Sequence, residues 1–197
     1  MATTGGIRLQ LASALVALIA VLGAVAASTA GAAIGSQSHL DRLLAPADTC
    51  PGSDNAAAPE QAQVAAMACL ISYARAQAGL RALRETPVLD RAGAIKIAAD
   101  IRCRSFSHTP CGRSLQSTFA AAGYALTGGY SLGENLAWGQ DELGAPQQIM
   151  QAWLASPDHR ANLLSTSWTS FGLGVRTGTT FLGYGGVALW ANEFAGP

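Results

Sequence analysis

Charge and histidine are scarce in this chain. Only 12% of its 197 residues are Asp, Glu, Lys or Arg, and the signs cancel, Lys+Arg 12 against Asp+Glu 12. A balanced chain has no basic footprint, which argues against nucleic acid as a partner. Proline, at 8, and glycine, at 22, fall well short of a low-complexity composition, and no collagen period or solenoid-length repeat is visible. There is no P-loop, no G-x-G-x-x-G opening a helix and no H-E-x-x-H. The four cysteines contain no C-x2-C pair, which argues against a cysteine-held metal. What is plentiful is apolar surface: 50% of the residues are hydrophobic. That excludes intrinsic disorder and, at this length, points to one domain.

One long hydrophobic run stands near the start. Leu11–Ala27 is interrupted only by Ser13, follows a short segment carrying Arg8, and is succeeded by small residues from Ser28 to Ala33. This is the layout of a secretory signal peptide, assigned to residues 1–30 with Ser28-Thr29-Ala30 as a cleavage site. An uncleaved anchor is the alternative, and it is the one route by which the chain would meet a membrane; the run lies at the low edge of spanning length. Residues 31–58 read as a linker and residues 59–197 as the compact domain. An exported chain, secreted or held in the cell envelope, meets oxidising conditions. Cys50, Cys69, Cys103 and Cys111 all lie beyond the signal, so two disulfides are expected. Three connectivities are open. Cys103 with Cys111 closes a short loop and is the favoured pair; Cys50 with Cys69 would then tie the extension to the first helix.

Periodicity predicts helices first and strands last. Val64, Met67, Ile71 and Ala74 give one apolar face to a helix over 60–78, with Gly79 placed to end it. Pro87 opens a second helix, Leu89 to Arg102, with Leu89, Ala92, Ile95 and Ala99 inward. A short helix follows over Ser114 to Ala122. Gly128 to Gly139 reads as turn-rich. Pro146 starts a helix that Ser156-Pro157 stops, which leaves His159 just past a helix end. Residues 171–175, 179–184 and 186–194 are β-like. The order of elements predicts an α+β domain, an antiparallel sheet covered by helices, and disfavours alternating βαβ units.

Three histidines bound the chemistry. His39 falls in the linker, His108 in the expected cystine loop and His159 beside Asp158 and Arg160, while Glu134 lies between the last two in Gly133-Glu134-Asn135. Two imidazoles and a carboxylate form a ligand set for Zn2+ or another divalent cation. Structural hydrogen-bonded histidines are the plainer reading of the same residues. Gly129-Tyr130-Ser131-Leu132-Gly133 matches G-x-S-x-G, but a nucleophile elbow needs a strand before the serine and a helix after it, and neither is expected here. Trp138, Trp153, Trp168 and Trp190 are read as core and cleft walls rather than a carbohydrate platform. Arg160 is expected to pair with a carboxylate or cap carbonyls, and Asn135 and Asn162 to hold loops through backbone bonds.

Three ordered blocks carry a resemblance. They are Phe106-Ser107-His108 before Gly112-Arg113, Gly133 to Ala137, and Trp153 through Ser156-Pro157-Asp158-His159-Arg160-Ala161-Asn162-Leu163-Leu164. Over about residues 60 to 195 the chain resembles the CAP superfamily (cysteine-rich secretory proteins, antigen 5 and plant pathogenesis-related proteins, also called the SCP domain). The third block, followed by Phe171-Gly172-Leu173-Gly174-Val175, is similar to the short bacterial branch. The resemblance implies an α-β-α sandwich with a central antiparallel sheet flanked by helices. It also implies a cleft lined by two histidines, His108 and His159, and two acids, of which Glu134 is the first. Ser156 stands where the second is expected; Asp158 and Glu193 are the candidates to replace it.

Two functions follow. The first is an exported binding module whose cleft, His108, Glu134 and His159, takes a divalent cation through His108 and His159 and holds a small-molecule, lipid or envelope-derived ligand. Both rings must be neutral to ligate, so affinity should fall on acidification. The second is a metal-assisted hydrolase acting on peptide or cell-envelope material. A surface protein that never uses the cleft is the remaining alternative.

Overall fold

The computed structural model describes residues 40–46 and 48–197. The expected signal segment, the start of the expected linker and His39 lie outside the described residues.

The first long helix, α1 (Glu60–Gln77), follows Pro59 and places Met67, Leu70, Ile71 and Ala74 in the core at spacings of three and four. Gly79, at φ +68°, ends it: its N–H reaches the Ala76 carbonyl and the Leu80 N–H reaches that of Arg75, the paired closure of a Schellman motif. A two-residue strand, β1 (Arg84–Glu85), leads to α2 (Pro87–Cys103), which opens on Pro87 at its first turn. Then come α3 (Leu115–Ala121), capped by the Ser114 hydroxyl, and β2 (Ser131–Gln140). Next are α4 (Pro146–Ala155), α5 (Pro157–Leu164), β3 (Ser170–Phe181) and β4 (Tyr184–Gly196).

The sheet order is β1-β3-β4-β2. β4 pairs antiparallel with both β3 and β2, and only the short β1 runs parallel to β3. Alternation along β3 and β4 divides the core in two. Phe171, Leu173, Trp190 and Phe194 join α1, α4 and α5 on one face, whereas Val187, Leu189, Ala191 and Ala195 meet α2 and α3 on the other. The result is the expected α-β-α sandwich. Leu43, Ala45 and Cys50, within the stretch expected as a linker, lie in the first of these cores. Gln147 at the start of α4 donates to the carbonyls of Ser53 and Ala45. The cystines are Cys50–Cys69 and Cys103–Cys111.

Two local expectations change. The glycine-rich stretch 128–139 is mostly strand, not turn. Gly133 and Gly139 are there for close approach: a Cβ on Gly133 would lie 2.7 Å from the Trp168 ring, and one on Gly139 would meet the backbone at Leu143–Gly144. His159 is not past a helix end. Pro157 stops α4 by forcing Ser156 into an extended conformation, and then itself occupies the first turn of α5, where a missing N–H costs nothing. The alternation Phe171-Gly-Leu-Gly-Val also has its explanation. Its glycines face α2, whose backbone passes so closely that a Cβ on Gly93 would lie 2.6 Å from Gly174 N.

Candidate functional site

β2 is an outer strand of the sheet, and Glu134 is its fourth residue. Alternation turns Glu134, Leu136 and Trp138 toward α2 and turns Asn135 toward α5. His108 reaches the strand from the α2 layer and His159 from the α5 layer.

His108 arrives from the α2 side. It sits in the loop closed by Cys103–Cys111, one residue beyond Ser107, whose N–H donates to Asp100 Oδ1 at 3.3 Å. Its Nδ1 lies 2.5 Å from Glu134 Oε1. The same oxygen lies 3.1 Å from Lys96 Nζ. Glu134 and Lys96 are sealed from water at 2% and 1% side-chain exposure, while the His108 ring is 64% exposed. A neutral imidazole that donates Nδ1–H to a carboxylate presents its Nε2 lone pair outward. Metal-ligating histidines are commonly held in this way.

His159 arrives from the α5 side. Its backbone carbonyl accepts from Asn135 Nδ2 at 2.9 Å. Asn162 Nδ2 donates to Asn135 Oδ1 at 2.9 Å and to the Glu134 carbonyl at 3.3 Å, and the Trp168 indole donates to the Asn162 carbonyl. Both asparagines bond to backbone as expected, but they hold a helix, α5, to the strand β2 and not a loop. Arg160 takes the capping option, donating to the Leu154 carbonyl at the end of α4. The His159 ring is held below the ordinary imidazole range, first by burial and then by the charge of His108, against a smaller opposing pull from Asp158.

Behind Glu134 lies a buried group of titratable residues, of which the sequence named Glu193 but not Lys96 or Asp100. Glu193 is the cross-strand partner of Glu134 and is fully buried. Burial first, and then the charge of Glu134, hold the Glu193 carboxyl well above the carboxylate range. Neither of its oxygens, nor Glu134 Oε2, has a hydrogen-bond partner. Glu193 therefore holds its proton more tightly than an exposed carboxyl does. Asp100, one turn beyond Lys96 on α2, is pushed up to about 6 by burial, opposed by Lys96 and the Ser107 N–H. Glu193 had been one candidate for the second acid. Asp158, the other, lies exposed at the start of α5. The signal for Lys96 and Asp100 was available: they stand four residues apart on the face that also carries Gly93 and Ile97.

Among the described residues, no three His, Cys, Asp or Glu side chains converge as a metal-holding group. The chain offers two imidazole nitrogens, with Glu134 behind one of them. That set suits a cation that keeps open positions and does not suit a closed structural site. Ser131 opens β2 and donates to the Pro197 carbonyl at 3.2 Å; a strand, not a helix, follows it, so the elbow geometry is absent. Trp153 and Trp190 are core residues whose indoles donate to the Leu136 and Gly144 carbonyls. Trp168 stacks on Phe194. Among the described residues, no helix is long and apolar enough to cross a membrane.

Comparison with known proteins agrees with this architecture. The model of the cysteine-rich secretory protein family, CAP, matches residues 70–187. No curated protein matches the chain in sequence. Among solved structures, an extracellular protein containing an SCP domain from Bacillus anthracis is 21% identical with a TM-score of 0.58; the match covers 70% of this chain and 41% of that one. An outer surface protein from Borrelia burgdorferi is 18% identical with a TM-score of 0.55, covering 66% of this chain and 89% of that one. A cysteine-rich secretory protein from Staphylococcus aureus is 13% identical with a TM-score of 0.56, covering 72% and 40%. The chain thus spans less than half the length of two of the three.

Proposed function

Because the chain belongs to the cysteine-rich secretory protein (CAP) family, we propose that it is an exported binding module whose His108 and His159 take a divalent cation, Zn2+ or a metal of similar preference, beside a small apolar or envelope-derived ligand. One observation carries this reading: the 2.5 Å contact between His108 Nδ1 and the buried Glu134 carboxylate. It fixes the tautomer that turns Nε2 outward and raises the basicity of that nitrogen. A bound cation would supply Lewis acidity and open coordination positions for a ligand.

Export is supported by the Leu11–Ala27 run and its small-residue tail, and by two cystines in a small domain. The three similar structures belong to an extracellular, an outer surface and a secretory protein, which points the same way. Binding is favoured over metal-assisted hydrolysis by the placement of Glu134. It lies behind the imidazole and beside the Lys96 ammonium, not toward the open side where a bound water would need a general base.

The test is calorimetry with Zn2+ on the wild type and on His108→Ala and His159→Ala. Each variant should lose most of the heat. Identical isotherms for all three proteins would remove the assignment. The hydrolase alternative predicts a turnover on peptide or envelope substrates that Glu134→Gln abolishes while Zn2+ is still bound.

A further inference from the structure

Arg75 is a buried cation without an anion. It stands in the last turn of α1 and is 2% exposed. Buried charges are ordinarily paired, because taking them out of water is costly. Among the described residues, no carboxylate lies within ion-pair distance of Arg75. Carbonyls hold it instead. Its Nε donates to Arg81 O at 3.0 Å, and its Nη1 donates to Leu163 O at 2.8 Å and to Ser165 O at 3.0 Å. Its Nη2 makes no such bond and is not sealed from water. Burial lowers the guanidinium from its ordinary range, with no counter-charge to oppose it. Arg75 also lines a cavity of about 370 Å3 between the end of α1 and the loop that joins α5 to β3. Leu80 and Arg81 line it from the first segment, and Thr166 and Trp168 from the second. Arg81 and Thr166 are exposed. No Asp or Glu lines the cavity. The helix end beside it does not repel an anion through open carbonyls, since those of Ala74, Arg75 and Ala76 already accept from the N–H groups of Ala78, Leu80 and Gly79.

We propose that this cavity binds a phosphate group, carried as the monoester of a small organic molecule, with its oxygens on Arg75 Nη2, the Arg81 guanidinium and the Thr166 hydroxyl. Two guanidinium groups and a hydroxyl on separate walls suit a tetrahedral anion with several acceptor oxygens, and arginine is the side chain whose planar fork matches phosphate. The doubly charged group also supplies the counter-charge that Arg75 lacks. A neutral ligand would leave that guanidinium unpaired. The volume exceeds what a bare ion fills and lies at the low end of clefts that hold small organic ligands. Leu80 and Trp168 give the organic part an apolar wall. None of His108, Glu134 and His159 lines the cavity, so the proposal is independent of the cation reading.

The probes are glycerol 3-phosphate, inorganic phosphate and acetate, titrated into the mature protein by calorimetry at constant ionic strength and without added metal. Indole fluorescence is a second signal, because Trp168 lines the cavity. Glycerol 3-phosphate should bind saturably and more tightly than inorganic phosphate, and acetate should not bind. Arg81→Gln should weaken glycerol 3-phosphate roughly tenfold, the size of one lost charge-assisted contact, and Thr166→Val about threefold. Both side chains are exposed, so unchanged urea midpoints would show that the fold is intact. Arg75 is left in place because three carbonyls depend on it. His108→Ala should leave phosphate binding within twofold, so failure of the cation reading would be seen separately. The proposal is overturned if glycerol 3-phosphate does not bind the wild type, if both variants bind it as the wild type does, or if acetate binds equally well. Retention on phosphatidic acid vesicles that glycerol 3-phosphate cannot displace would also overturn it, since a membrane-facing surface and not this cavity would then read the phosphate.

Discussion

Replacing Glu193 with Gln should make the protein more stable at pH 8 and leave it nearly unchanged at pH 4. Glu193 lies fully buried against Glu134, with Lys96 as the nearby cation and Asp100 as a further acid. One ammonium faces three carboxyls, so ionising Glu193 adds an uncompensated buried charge. The folded chain therefore holds the Glu193 proton more tightly than the unfolded chain does, and its carboxyl is raised well above the ordinary value. The sign follows from linkage. Above the unfolded carboxylate pKa, about 4.3, the native state binds more protons than the unfolded state, so stability falls as pH rises. The fall approaches a factor of ten in the unfolding equilibrium per pH unit, about 1.4 kcal/mol, until the native carboxyl itself ionises. Glutamine keeps the shape, keeps a donor for Glu134 and removes the proton. Urea unfolding midpoints measured at intervals from pH 4 to pH 8 give the assay. The difference between variant and wild type should be near zero at the acid end and grow through pH 5 and 6. Parallel curves, or a variant less stable at pH 8, would refute the account of Glu193 as a neutral buried acid.

Other perturbations test the frame around it. Gly93→Ala reverses an ordinary sign: alanine favours a helix by about 1 kcal/mol, but here its methyl would lie 2.6 Å from Gly174 N, so a loss of roughly 1–3 kcal/mol in urea unfolding is expected. Arg75→Ala removes the guanidinium that binds the carbonyls of Arg81, Leu163 and Ser165 and should cost about 2–4 kcal/mol; Arg75→Lys should recover little of it, because an ammonium lacks the fork. Glu134→Gln should weaken zinc binding about 10–100-fold without abolishing it, as for a residue behind the ligand, whereas loss of either histidine should abolish it. Exchanging both Cys103 and Cys111 for serine opens a loop of sequence separation 8 and should cost roughly 2–3 kcal/mol in thermal or urea unfolding.

Much of the fold was legible because apolar spacing and helix punctuation are local signals. Pro59 before α1, Gly79 after it, Pro87 at α2 and Pro146 at α4 each mark a boundary by backbone sterics alone. A short loop favoured Cys103–Cys111, and Cys50–Cys69 followed only as the pair left over, among three connectivities that the sequence left open. The strand β2 could not be read this way. Its glycines at 133 and 139 signal turns locally, but they answer to Trp168 and to the Leu143 backbone, which arrive from elsewhere in the chain. The site divides along the same line. His108, Glu134 and His159 were named from their blocks and Glu193 as one candidate for a second acid, whereas Lys96 and Asp100 look like ordinary surface charges until the sheet and α2 enclose them.

That enclosed group bears on how the site works. A carboxylate buried at 2% side-chain exposure would ordinarily lose its charge, and a protonated Glu134 could not accept from His108 in the way that fixes the ring. Lys96, 3.1 Å from Oε1, sets a positive charge against the carboxyl group that His108 contacts. Lys96 is therefore a positioning residue for His108. Lys96→Met should leave the buried Glu134 carboxyl without its cation and loosen its hold on the His108 ring. The expected result is a zinc affinity lowered by about as much as in Glu134→Gln, with the two losses failing to add in the double variant. Additive losses would mean that Lys96 acts on the fold alone and that Glu134 holds its charge by some other means.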